Sequence, residues 1–99
     1  QNSNNIFSNE TNNYYLKIQI ASGSKYLELK PYNFKGLNKL SFSRFGNIYR
    51  FFYENTRSFN EAKKYLTKAK KSGFKDAIIV AFNNEKRITI DDFLNLTSN

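Results

Sequence analysis

The chain has no cysteine, histidine, tryptophan or methionine, and these absences narrow its chemistry. Without cysteine there is no disulfide or thiolate, so redox chemistry does not fix the compartment, and such a chain is compatible with an oxidising periplasm. Without cysteine and histidine the usual zinc, iron and copper ligand sets are missing, as are the His and Cys members of nucleophilic triads. Glycine is scarce: Gly23, Gly36, Gly46 and Gly73 stand apart, so no glycine-rich phosphate loop exists. No metal and no cofactor is therefore expected. No apolar run approaches the roughly 18 to 20 residues that cross a bilayer, and no signal-like segment is present, so membrane insertion is not expected either.

At 99 residues the chain has room for one core. Aromatic residues, seven Tyr and ten Phe, supply large buried surfaces that a total hydrophobic fraction of 39% would otherwise leave thin. Residues 1–13, QNSNNIFSNETNN, offer too little apolar surface to offset the entropy of ordering and read as a linker or tail, leaving 14–97 as the folded domain.

Leu16, Ile18 and Ile20 alternate with Lys17, Gln19 and Ala21, the period of a half-buried strand over 15–21. Tyr26, Leu27 and Leu29 begin a helical turn that Pro31 discourages. Gly46-Asn47 suits a tight hairpin turn between strands at 37–45 and 48–53. Ser58 with Glu61 forms a capping box for a helix over 59–72, whose Ala62, Tyr65, Leu66 and Ala69 share one face and which Gly73 stops. Strands at 77–82 and 86–88 follow, then a helix from a second capping box, Thr89 with Asp92, to about Leu96. This order predicts an α+β fold: a four-stranded antiparallel sheet with helices on one face, the first of them short or irregular.

Asp91 and Asp92 are a carboxylate pair, but they lie at a helix start, where the dipole favours acids, so the chain reads as a binding module and not an enzyme. The net charge of +8 points to an anionic partner, yet Lys63, Lys64, Lys68, Lys70 and Lys71 belong to the helix, opposite its apolar stripe. If Ile18 and Ile20 face the helices, Lys17, Gln19 and Ala21 face outward; if Tyr49, Phe51 and Tyr53 are buried, Ile48, Arg50 and Phe52 join them. A ring beside amide and guanidinium donors suits a sugar, with its apolar C–H face and hydroxyl edges. Phe52 fits a core role equally well, because periodicity cannot separate the two in an all-aromatic run.

YLKIQIASG resembles the first strand of the SPOR (sporulation-related repeat) family, and IYRFFYENTRSFNEAKKYLTKAKKSGFKDAIIVAF resembles its second half. KPYNFKGLNKL and FNNEKRI are similar to versions attached to cell-wall amidases of the Bacteroidota. The resemblance spans Tyr15 to Phe82, with Glu54 where the family usually has Gly and Pro31 where its first helix runs. It implies a ribonucleoprotein-like fold and non-catalytic binding of peptidoglycan glycan strands denuded of stem peptides. It further implies a monomer in the periplasm, at the division septum, serving a parent protein that can carry a separate amidase domain. Carried over by position, Gln19, Ser22, Arg50 and Ile78 match ligand-face positions. Phe52 and Lys17 join them from the face assignment, and Arg50 or Lys17 could pair the lactyl carboxylate that loss of a stem peptide frees. The rival reading is an RNA-recognition motif, whose strand and helix order is the same. It needs positive charge on the sheet, whereas the densest run of lysines here, Lys63 to Lys71, is on the helix.

Overall fold

A computed structural model describes residues 11–98. It is α+β: five antiparallel strands in the order β2-β3-β1-β4-β5, and two helices. The strands are β1 (Tyr14–Gly23), β2 (Leu40–Phe45), β3 (Ile48–Thr56), β4 (Ile78–Asn83) and β5 (Lys86–Ile88). The helices are α1 (Phe59–Ser72) and α2 (Ile90–Thr97). The expected four-stranded sheet is thus corrected to five, because Lys86–Ile88 pairs with β4.

The local signals act as their chemistry requires. Phe45 pairs with Ile48, so Gly46 and Asn47 form a two-residue turn, and Gly46 takes φ +61, where a side chain would be strained. Ser58 accepts a hydrogen bond from the Glu61 N–H at 3.1 Å. Glu61 does not reach back to the Ser58 N–H; that group donates to Thr56 Oγ1, whose hydroxyl donates to the Glu61 carboxylate. Thr89 caps α2 by accepting from the Asp92 N–H at 3.0 Å.

Both helices pack on one face of the sheet, where Leu16, Ile18, Phe51, Tyr53, Ala62, Ala69, Ala81 and Phe93 form the core. Burying each large apolar side chain there contributes about 1.5–3 kcal/mol. The first helix, expected to be short or irregular, is reduced to a single turn. Between Ser24 and Lys39 only Pro31–Asn33 is helical, a single 3-10 turn. Pro31 blocks a longer helix, and Phe34 and Leu37 enter the core directly, Phe34 lying 5.1 Å from Phe51 between ring centroids.

Two irregularities interrupt the β1–β3 ladder. The register Leu16↔Thr56 to Ile18↔Tyr53 inserts a residue in β3, where Glu54 takes φ +65. The register Gln19↔Phe52 to Ala21↔Phe51 inserts one in β1, at Ile20. The second bulge overturns one expectation: Ala21 packs against the core and does not face outward with Lys17 and Gln19. The last residue of the expected tail, Asn13, is hydrogen-bonded to the sheet. Residues 1–10 lie outside the described residues, but the Asn13 N–H donates to Asn83 Oδ1 at 3.1 Å and the Asn84 N–H to the Asn13 carbonyl at 2.8 Å. The segment before β1 is thereby tied to the β4–β5 turn.

Candidate functional site

The helix-free face of the sheet collects the sequence-predicted residues. Antiparallel partners share a face, so the rows Ile78–Gln19–Phe52–Ser41 and Ser22–Arg50–Ser43 lie side by side on it, with Lys17 beside Val80. All six candidates, Lys17, Gln19, Ser22, Arg50, Phe52 and Ile78, are therefore on this face.

Their accessibility differs from expectation at one decisive position. Phe52 is only 2% exposed, so it cannot offer its ring to a ligand. The Lys17 Nζ lies 5.4 Å over its centroid and Phe82 meets it edge-on at 5.8 Å. The exposed ring of this face is Phe45, 74% exposed, with the Arg50 guanidinium carbon 5.8 Å from its centroid. Phe45 is on this face because it pairs with Ile48, an alternation reachable by extending the hairpin pattern one step further.

Lys17 is held by its surroundings. Its Nζ donates to Ser41 Oγ at 3.1 Å and lies within 6.0 Å of the rings of Tyr15, Phe52 and Phe82. Burial pushes its pKa below the ordinary lysine value, and Glu85 pulls the other way. Tyr15 stacks on Phe82 at 5.2 Å, and its hydroxyl donates to the Asn84 carbonyl at 3.2 Å. Gln19 presents a different situation: its Oε1 is buried with no hydrogen-bond partner among the described residues. A buried acceptor without a donor costs about 1–3 kcal/mol.

The sheet curls into a trough. A hollow of about 330 Å³ is lined from β2 and β3 by Phe45 and Arg50 and from the β4–β5 hairpin by Phe82, Glu85 and Arg87. Residues from opposite ends of the strand order share one hollow only if the two edges bend toward each other. A second hollow of about 370 Å³ shares Phe52, Phe82 and Glu85 with the first and extends to Tyr15 and Lys17. Glu85 and Arg87 escaped sequence reasoning because their place over the trough depends on this curl. Tyr15 and Phe82 continue the alternation of Lys17 and Val80 by two residues and were within its reach.

Asp91 and Asp92 stand in the first turn of α2, across the sheet from the trough. Among the described residues no cluster of three or more His, Cys, Asp or Glu is placed to hold a metal ion, and no helix is long and apolar enough to cross a membrane. The chain matches no family model, and no curated protein or solved structure is significantly similar to it.

Proposed function

We propose that the trough binds the glycan backbone of bacterial peptidoglycan, preferring strands denuded of stem peptides, and so directs a parent cell-wall or division protein to the septum. The observation that carries this reading is the helix-free face itself, where an exposed ring, Phe45, stands beside Arg50, with Gln19 further along the same face opposite Phe52. Sugars need such a surface, with an apolar platform for C–H faces and polar groups for hydroxyls. The β2-β3-β1-β4 portion of the strand order agrees with a ribonucleoprotein-like fold, β5 being an addition, and the motif resemblance to the SPOR family points the same way. Preference for denuded strands follows from shape, since stem peptides would obstruct entry to a trough whose edges curl inward. Binding is non-catalytic, by a monomer, in the periplasm.

The test is co-sedimentation with purified sacculi before and after amidase treatment, with single-stranded RNA as competitor at moderate salt. Retention that rises with amidase treatment and ignores RNA is expected. Indifference to sacculi together with tight RNA binding would overturn the proposal.

A further inference from the structure

We infer that Arg50 and Arg87 act together as a two-guanidinium receptor for a sugar carboxylate, making the trough selective for acidic over neutral glycans. This rests on the glycan reading and specifies which sugar substituent is gripped. Arg50 projects from β3 and Arg87 from β5, strands separated by β1 and β4 in the sheet, yet both line the hollow beside Phe45. The curl brings them over one site. Phe45 covers one side of the Arg50 guanidinium, and guanidinium donors lie around the edge of a planar fork that matches a carboxylate.

The other cations near the trough are already engaged. Lys17 donates to Ser41 and is packed among three rings, and the Arg44 Nε donates to the Gly46 carbonyl at 3.0 Å while its guanidinium lies over Tyr49. Arg87, by contrast, is exposed. Glu85 is the one carboxylate lining the same hollow, against Arg50, Arg87 and the already engaged Arg44, so positive charge is in excess. An acidic sugar whose ring rests on Phe45 would present its carboxylate to both. A neutral sugar would gain the ring contact alone.

The experiment compares affinities of the chain for three oligosaccharides of equal length: a denuded peptidoglycan glycan, the same glycan with its carboxylates converted to amides, and a neutral chitin oligomer. A uronic-acid oligomer added as a fourth probe separates the lactyl carboxylate from a carboxylate on the sugar ring. Charge-assisted hydrogen bonds of this kind correspond to about 10- to 100-fold in affinity, and the denuded glycan is expected to lead the two neutral probes by that factor. Arg87→Gln should bring the denuded glycan down to the affinity of the two neutral probes, and because Arg87 is exposed its replacement should leave the melting curve unchanged. Equal affinity for acidic and neutral glycans, or a preference that survives Arg87→Gln, overturns this inference alone. Failure to bind any of the oligomers overturns the glycan reading with it.

Discussion

Gln19 combines a cost to folding with an opportunity for binding. Its Oε1 is buried without a partner in the middle of the trough face, between Phe52 and Ile78 across the ladders. Replacing it with leucine, of similar size, removes the unmatched acceptor. Gln19→Leu is expected to hold the urea midpoint or raise stability by about 1 kcal/mol, while sacculus retention falls. Loss of folding in that variant would show that the amide supports the sheet. A second expectation concerns alkaline pH. Burial, with Glu85 adding to it, raises the Tyr15 phenol above its ordinary value of 10.0, and burial followed by the charges of Glu54 and Tyr65 raises Tyr53. Between the ordinary and the raised values the folded chain keeps protons that the unfolded chain has released, so stability is full below that window and falls as pH rises through it. Lys17 runs the other way: its folded form loses the proton first, so its contribution grows with pH just below the ordinary lysine value. Urea titrations above pH 10.0 should therefore show a decline that Tyr53→Phe flattens and Lys17→Met steepens. An identical slope in all three proteins would sink this account.

Among the elements, β3 carries a strained residue near the site. Glu54 takes φ +65, where a β-carbon costs roughly 1–2 kcal/mol, and its N–H donates to the carbonyl of Lys39, itself at φ +55. The position suits glycine, which is what the motif resemblance expects there. Glu54→Gly should therefore stabilise by up to about 1 kcal/mol after the entropy of a freer unfolded chain is offset, measured as a higher urea midpoint. The elements that sequence reasoning recovered are those with local causes: α1 from its cap and apolar stripe, and the β2–β3 hairpin from Gly46-Asn47. The segment at 24–39 was opaque because its conformation is set by where Phe34 and Leu37 find the core, a tertiary contact that overrides the weak helical pattern. Phe52 was ambiguous for a related reason, since its cover is Lys17 and Phe82 on strands distant in sequence. The face of Lys17, Gln19 and Arg50 could be read from alternation alone, and Arg87 shares it as the partner of Phe82, whereas its place over the same hollow as Arg50 required the curl.

For the whole molecule, the densest run of lysines and the binding face are separated. Lys63, Lys64, Lys68, Lys70 and Lys71 are exposed on α1, and α1 packs on the face opposite the trough. The densest cluster of positive charge thus lies on the back of the protein, where it favours solubility and weak, salt-sensitive adhesion to polyanions. Replacing Lys63, Lys68 and Lys71 together with glutamine is expected to leave sacculus retention within about twofold, and to abolish any RNA adhesion seen at low salt. A large loss of sacculus binding in that variant would relocate the interface to the helix.

The paired bulges of β1 and β3 behave like two frameshifts of opposite sign. The extra residue at Glu54 moves the ladder out of frame after Leu16↔Thr56, and the extra residue at Ile20 returns it to frame by Ala21↔Phe51. Only the short stretch between them, which holds Gln19 opposite Phe52, runs in the shifted frame. A deletion at either bulge alone would carry the shift along the strands and turn side chains to the wrong face. Deleting one residue at each would cancel, so the doubly shortened chain should melt above both singly shortened ones.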